Sequence, residues 1–352
     1  MQSESQRLLL ELVERNGSDL HLAEGNRPVM RIHGVLYPLE HYQPLVAEQT
    51  QTLIKDIVGE TSFKRLLAAG ELDVAIEFPG DGNSRPWRLR INGYRQQGTY
   101  AAAIRLLPNK FFSFKELGLP MQVLEKICRL NNGLVLVTGA TSSGKSTTIA
   151  SIVNEINKER PCHILTIEDP VEYRHYSQKA FVTQREVGVD TASFAEALRR
   201  AMREDPDVIV VGEMRDLETI SAALTLAETG HLTFATLHSS TAVQTISRVI
   251  SAYPAVQQSQ VRIQLASTLR FAICQNLTPW DNNQGRSLIA EILVVNSAVR
   301  AMIREEKTHQ LKNIMQTNYD IGMRTLEQAT ETILKQNHIS RKQAKLYLNL
   351  EE

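Results

Sequence analysis

Hydrophobic and polar positions follow two different patterns along the chain. In the first 107 residues, short alternating runs bounded by turn residues predict strands, while a helix is expected at 5–15 and two more at about 46–58 and 61–69. We expect strands at 19–22, 29–33, 35–39, 73–78, 87–94 and 101–107, with a hairpin turn at 79–83. Strands mixed with helices predict a small α+β domain over residues 1–107.

Beyond residue 120 the pattern changes to apolar runs that alternate with helices. A proline-bounded linker, 108–120, comes first, and its Phe111, Phe112 and Phe114 are expected to dock on a neighbouring surface. Strands are then expected at 133–138, 163–167, 208–211 and 232–235, and helices at about 145–158, 191–203, 216–229 and 241–251. This alternation is typical of a parallel sheet with helices on both faces. It predicts an α/β core over 121–270, followed by a mostly helical region, 271–352, with one extended segment at 287–294.

Composition excludes several classes of function. Lys plus Arg (39) equals Asp plus Glu (39) and only 6% of residues are aromatic, so we predict no nucleic-acid partner. Cys128, Cys162 and Cys274 lie far apart without a C-x-x-C pair, which argues against a zinc knuckle or redox dithiol and favours free thiols in a reducing compartment. No apolar run suggests a signal peptide or a membrane span. We therefore expect a cytoplasmic protein that reaches a membrane only through partners.

The strongest chemical signal is a glycine-rich loop between a predicted strand and a predicted helix. Residues 139–146 read GATSSGKS, which matches G-x-x-x-x-G-K-[S/T]. In such a loop the backbone N–H groups surround phosphate oxygens, Lys145 neutralises the terminal phosphates and Ser146 ligates Mg²⁺. The sequence thus predicts a nucleotide site with Mg²⁺. Its candidate residues are Gly139, Thr141, Ser142, Ser143, Gly144, Lys145, Ser146 and Thr147.

Two acidic residues follow predicted strands of the same sheet. Glu213 ends the run DVIVVGE, which is the arrangement of a Walker B strand, and Glu168 follows the run HILTI and precedes Asp169 and Pro170. Ligands of open α/β sheets bind outside the carboxyl ends of the strands, so both carboxylates are expected near the phosphates. Glu213 is expected to position and polarise the attacking water. The alternatives are a surface carboxylate for Glu213 and an ordinary acidic turn for Glu168.

Two histidines, His231 and His238, flank the predicted strand at 232–235. Their odd spacing places them on opposite faces of a strand, so a shared metal site is not expected. Two interpretations stay open for each: contact with a γ-phosphate from the end of a strand, or a structural hydrogen-bonding role.

Four segments together resemble the secretion ATPases and, among them, the PilT family of pilus retraction ATPases. They are GATSSGKSTT (139–148), TIEDPVEY (166–173), REDPDVIVVGEMRDLET (203–219) and TGHLTFATLHSS (229–240). The shorter segments GSDLHL (17–22), QREVG (184–188) and AVRAMIRE (298–305) extend the resemblance over nearly the whole chain. The resemblance implies a PAS-like N-terminal domain, a RecA-like P-loop ATPase core and a C-terminal helical bundle.

The resemblance also implies a function. Members form homohexamers that hydrolyse ATP, with Mg²⁺, to drive type IV pilus retraction, and they act on an inner-membrane platform protein from the cytoplasmic side. In this family Glu168 belongs to the aspartate box, Glu213 is the Walker B glutamate, and the two histidines belong to the histidine box. The family's N-terminal arginines also reach the phosphates. The candidates here are Arg88, Arg90, Arg95 and Arg105.

Two departures from the family pattern and three rival functions accompany this prediction. Ser142 stands where relatives usually carry glycine, and Gln97 lies where they commonly have an arginine. The rivals are a related secretion-system or pilus-assembly ATPase, a nucleic-acid motor on the same core, and a nucleotide-dependent scaffold without hydrolysis. Retraction is favoured over assembly because assembly ATPases usually have a longer N-terminal region and a four-cysteine metal motif.

Overall fold

A computed structural model describes residues 3–32, 34–79, 86–108, 110–280 and 285–348. The chain divides into two compact units, Met1–Lys110 and Phe111–Glu352. This division lies close to the predicted end of the first domain at residue 107. The predicted hairpin turn at 79–83 falls outside the described residues from position 80 onward.

The elements are as follows in chain order. The strands are β1 (Asp19–Leu22), β2 (Val29–Ile32), β3 (Val35–Pro38), β4 (Glu71–Phe78), β5 (Trp87–Gln96), β6 (Thr99–Leu107), β7 (Gly133–Gly139), β8 (His163–Glu168), β9 (Phe181–Glu186), β10 (Val208–Val211), β11 (Leu232–Leu237), β12 (Leu269–Pro279) and β13 (Arg286–Val294). The helices are α1 (Glu4–Glu14), α2 (Ala47–Ala69), α3 (Phe114–Leu117), α4 (Met121–Cys128), α5 (Lys145–Glu159), α6 (Phe194–Ala201), α7 (Leu217–Glu228), α8 (Ala242–Ser251), α9 (Ala255–Thr268), α10 (Ser297–Arg304), α11 (Leu311–Thr317), α12 (Leu326–Lys335) and α13 (Arg341–Leu348). Short 3₁₀ turns lie at Thr308–Gln310 and Tyr319–Ile321.

The first unit is an antiparallel sheet with helices packed against it. Its strand order is β3-β2-β1-β6-β5-β4. Alternation along β5 buries Leu89 and Ile91 in the core and turns the residues between them outward. Helix α2 is interrupted at Gly59, where φ is 79°, which explains the two separate helical stretches predicted from the sequence.

The second unit contains a seven-stranded sheet that is covered on both faces. Its order is β13-β12-β7-β11-β10-β8-β9, and its pairs are parallel except β12 with β13. In β7, Leu134 and Leu136 pack with one core cluster while Val135 and Val137 pack with another. Helices lie on both sides, so β7 reads as a continuous apolar run rather than an alternating one. The mixed α/β fold class is confirmed.

Two strands were not predicted, and one of them changes the predicted organisation. Strand β12 pairs with β7, at the centre of the sheet, and with β13. The predicted start of a mostly helical region at residue 271 therefore falls inside a strand of the main sheet. The physical reason is that a short, largely buried run such as LRFAIC, apolar apart from Arg270, has no periodicity that separates it from a buried helix. Strand β9 escaped prediction because it carries polar residues at the edge of the sheet.

The segment predicted as a linker contains helix α3, whose start is capped by Ser113 and Glu116. Phe111 stacks on the rings of Tyr173 and His175, and Phe114 packs against a core cluster of the second unit. Phe112 is 43% exposed, so the docking prediction is confirmed for two phenylalanines and is wrong for the third.

The described ranges contain no helix with the length and apolar character needed to span a bilayer. Of the three cysteines, Cys128 and Cys274 are buried and Cys162 is partly buried, and all three are free thiols. Burial raises the pKa of the Cys128 and Cys274 thiols to about 12, so neither is a reactive thiolate at neutral pH.

Candidate functional site

The glycine-rich loop connects the end of β7 to the start of α5. Three of its residues have positive φ angles: Gly139 (142°), Ser142 (64°) and Gly144 (91°). Ser142 therefore adopts the left-handed conformation that glycine adopts without steric cost. A serine in this region costs about 1–2 kcal/mol. The serine at this position thus adds strain to the loop backbone.

Lys145 lies across the loop. Its Nζ donates hydrogen bonds to the carbonyl oxygens of Gly139 (2.9 Å) and Ala140 (2.8 Å). Burial lowers the pKa of this ammonium group, and the nearby carboxylate of Glu213 opposes that shift. An anionic phosphate beside Lys145 would favour the charged form further, so the loop is built to gain from binding an anion.

The base of the loop is held by β12, one of the two strands that were not predicted. Gly139 pairs with Gln275 of β12 in the sheet ladder. The side-chain Nε2 of Gln275 donates to the hydroxyl oxygen of Thr148, at 2.7 Å, and both residues are buried. Sequence reasoning missed Gln275 because it missed β12. The largely apolar run LRFAIC was the available signal, but it does not separate a strand from a buried helix.

Glu213 follows β10 and is held from two sides. Its carboxylate accepts from Arg215 Nη2 at 2.7 Å and lies 2.9 Å from His238 Nε2. The hydrogen bond from Arg215 is the main cause that lowers the pKa of Glu213, and the charges of Arg215 and His238 lower it further against the effect of burial. The histidine is fixed in turn by Arg248 of α8, which donates to the His238 carbonyl oxygen. A carboxylate with a lowered pKa is ionised at neutral pH and suits the orientation of a water molecule.

Glu168, at the end of β8, is partly buried beside the same loop. It accepts hydrogen bonds from Thr166 Oγ1 (2.7 Å) and Gln184 Nε2 (3.1 Å). Burial nevertheless raises the pKa of Glu168 to about 7. Glu168 and Ser146, together with Gly212, line a cavity of about 50 Å³. The structure thus brings the two predicted acidic positions to the loop side of the sheet, one ionised and one that titrates near neutral pH.

His231 does not join this group. It precedes β11, where its Nδ1 lies 3.0 Å from the Leu226 carbonyl oxygen, whereas His238 follows the same strand. Seven residues at ~3.3 Å each separate the two histidines by roughly 23 Å. Because β11 runs parallel to β7, His231 lies at the amino ends of the strands, whereas the loop lies at their carboxyl ends. This placement favours the structural hydrogen-bonding interpretation for His231 within its own chain, and its catalytic role stays a prediction that rests on the resemblance.

The four N-terminal arginines lie in the first unit, on β5 and β6. Arg90 and Arg105 face each other in the ladder, and Arg88 shares their side of the sheet by alternation. Arg90 forms an ion pair with Asp73 (2.6 Å). Arg105 forms one with Asp19 (2.8 Å). Burial acts to raise the pKa of Asp19, but the hydrogen bonds from Arg105 and Ser18 outweigh it, so the pKa lies below its usual value.

Arg95 lies apart from the other three arginines, near the end of the hairpin. Its guanidinium stands 5.7 Å from the centre of the Tyr100 ring. Gln97 and Gly98 both have positive φ angles and form the two-residue turn between the paired Gln96 and Thr99. The departure at Gln97 therefore occurs in a tight turn.

The sequence matches the type II/IV secretion system proteins over residues 2–345. The chain belongs to this family. It is 42% identical to the type IV pilus retraction ATPase PilT of Pseudomonas aeruginosa, over 96% of each chain. It is 32% identical to the type II secretion system protein E of Aeromonas hydrophila, over 76% of this chain and 54% of that protein.

Solved structures give the same result. The chain resembles the crystal structure of the pilus retraction motor PilT with bound ADP, with a TM-score of 0.90, 44% identity, and coverage of 98% of this chain and 97% of that one. The resemblance to PilT inferred from the four sequence segments is thereby confirmed. Within this family of secretion proteins, the chain is more similar to the pilus retraction branch than to the type II secretion protein.

Proposed function

We propose that this protein is an ATP hydrolase that forms a homohexamer and drives type IV pilus retraction through an inner-membrane platform protein. The observation that carries the proposal is the placement of Lys145, Ser146, Glu168 and Glu213 around one phosphate loop, with His238 bound to Glu213. The 42% identity to a pilus retraction ATPase over nearly the whole chain supports the direction of the work.

The residues of the loop fit a magnesium–nucleotide complex. Its backbone takes positive φ angles at three positions, and Lys145 supplies the charge for the phosphate oxygens. Ser146 would hold Mg²⁺ through its hydroxyl group, and the ion would neutralise charge on the phosphates. Glu213 then orients the attacking water, with His238 and Arg215 fixing the carboxylate. The Glu168 carboxyl group lines the same cavity as Ser146 and, with a pKa of about 7, can accept or donate a hydrogen bond there.

Transmission of the work is proposed to use the AVRAMIRE segment, which forms α10. This helix buries Val299 and Ile303 and leaves Ala298 and Arg304 exposed, and Glu305, which caps its C-terminus, is exposed too. A packed inner face and an open charged face suit a helix that is anchored in its own subunit and offers a surface to a partner. The protein would then act at the cytoplasmic face of the inner membrane.

The test is pilus-dependent motility in a strain that lacks this gene, complemented with the wild type or with Glu213→Ala. Non-motile cells with excess surface pili, rescued only by the wild type, are expected for a retraction motor that needs hydrolysis. Cells without pili would instead indicate an assembly ATPase. Unchanged pili would favour a secretion system.

The two histidines give a prediction that needs only purified protein. His238→Ala should lower kcat for ATP by about 10- to 100-fold, because hydrogen bonds to charged groups contribute about 1.5–3 kcal/mol and each 1.36 kcal/mol is tenfold in rate. His231→Ala should change kcat far less, since this residue lies at the opposite edge of the sheet. Steady-state hydrolysis by the two variants checks this. Equal losses would contradict it and would place His231 in the site of a neighbouring subunit.

A further inference from the structure

Gln184, the first residue of the QREVG segment, has contacts near the candidate site but no role in the proposed chemistry. Gln184 lies on β9, next to β8. Its Nε2 donates to Glu168 Oε1 (3.1 Å) and to the Tyr173 carbonyl oxygen (2.9 Å), and its Oε1 accepts from the His175 backbone N–H (2.7 Å). The amide thus uses both N–H groups and its oxygen. Among side chains of this length, neither glutamate nor methionine could make all three bonds.

Each partner of Gln184 belongs to the wall of the candidate site. Glu168 and His175 line the cavity that Ser146 also lines. The Tyr173 hydroxyl bonds to Thr147 Oγ1 at 2.8 Å, in the first turn of the helix that follows the phosphate loop. Gln184 therefore connects the carboxyl group at the end of β8 to a loop that touches the phosphate-loop helix.

The loop that carries Tyr173 and His175 is also held from another side. Both residues are buried, and the ring of Phe111 stacks on them with centroid distances of 5.7 and 4.8 Å. The Glu168 carboxylate accepts a further hydrogen bond from the Glu172 backbone in the same loop. Because the loop packs firmly, a change in the Gln184 amide acts first on where the Glu168 carboxylate points.

We propose that Gln184 is a positioning residue for ATP hydrolysis: it fixes the Glu168 carboxyl group relative to Ser146 and the first turn of α5. The inference rests on the proposed function. Gln184 has no bond to the phosphate loop itself among the described contacts, so it acts on turnover through Glu168 rather than on nucleotide binding. A carboxyl group misplaced by about 1 Å can cost up to 100-fold in rate.

The experiment compares Gln184→Met and Gln184→Glu with wild type. Methionine keeps the length and removes all three bonds, while glutamate keeps the acceptor for His175 and places a second carboxylate beside Glu168. The matched control is Gln264→Met, because Gln264 Nε2 likewise donates to a glutamate, Glu228, at 2.6 Å on a different part of the surface. Steady-state hydrolysis, binding of a fluorescent ADP analogue and thermal unfolding are measured for each.

Both Gln184 variants should lower kcat by about tenfold or more, while KM for ATP and the Kd for the ADP analogue stay within about twofold of wild type. Gln264→Met should match wild type in all three measurements. If the wild type hydrolyses ATP and both Gln184 variants keep its kcat, this inference is overturned and the proposed function is not. A parallel loss of turnover, nucleotide binding and thermal stability would also overturn it, since the role would then be structural. No hydrolysis by the wild type would overturn the proposed function and this inference together.

Discussion

Glu213→Gln is expected to abolish most ATP hydrolysis and leave nucleotide binding intact. A positioned acid or base contributes about 10²- to 10⁴-fold to a rate, so kcat should fall within that range. The reason lies in the charge of the group. Arg215 and His238 hold Glu213 ionised, and glutamine keeps the size of the side chain but removes the charge that polarises water. Binding should persist because Lys145 and the loop backbone do not depend on Glu213 for their position.

The measurement is steady-state hydrolysis of ATP beside equilibrium binding of a fluorescent ADP analogue. Glu306→Gln serves as a matched control, because Glu306 also pairs with an arginine, Arg262, but lies on an exposed surface. This control should behave as wild type. An unchanged rate for Glu213→Gln would mean that another group orients the water. Loss of binding in the same variant would mean that Glu213 supports the loop rather than the chemistry.

The phosphate loop could be located from the sequence because its residues are contiguous. Eight consecutive residues specify it, and the apolar strand before and the helix after it are local features too. The position of Glu213 beside the loop followed from a general property of parallel sheets, whose carboxyl ends meet at one edge. The same property predicts that the two histidines lie far apart. His231 precedes β11 and His238 follows it, so they lie at opposite ends of the parallel strands.

The register of the N-terminal arginines was also within reach of the sequence. A two-residue turn at Gln97 and Gly98 fixes which residues of the two strands face each other, and it places Arg90 opposite Arg105. Their ion pairs with Asp73 and Asp19 were not predictable. Those contacts depend on which strands lie side by side in the sheet, and the order β1-β6-β5-β4 is a long-range property of the fold.

The rest of the site escaped prediction for the same long-range reason. Gln184 reaches Glu168 only because β9 lies beside β8, and Gln275 supports the loop only because β12 lies beside β7. Neither residue carries a local pattern, since an amide on a strand is equally common at the surface. What the sequence supplies well is the group that reacts. What it supplies poorly is the set of polar side chains that hold this group in place.

The support of the loop by β12 gives the second prediction with a large effect: Gly139→Ala should weaken both the fold and the site. A Cβ at this position would lie 2.2 Å from the Gln275 carbonyl oxygen and 2.5 Å from Ser143 Oγ. The φ of 142° adds strain for any residue with a side chain. We expect a loss of about 3 kcal/mol in the free energy of unfolding, at the upper end of the cost of overpacking. Nucleotide affinity should fall more than about tenfold, because a displaced β7 end moves the loop N–H groups away from the phosphates.

Denaturant unfolding and titration with the fluorescent ADP analogue measure the two effects, and Gly118→Ala is the matched control. Gly118 also has a positive φ, 74°, but nothing lies within 4 Å of the Cβ that alanine would add. This control should lose only the conformational cost of about 1 kcal/mol and should bind the analogue like wild type. The difference between the two variants isolates the contact with Gln275. Equal stability losses would mean that β7 and β12 separate easily at this point, and the loop would then owe its shape to its own residues rather than to the strand beneath it.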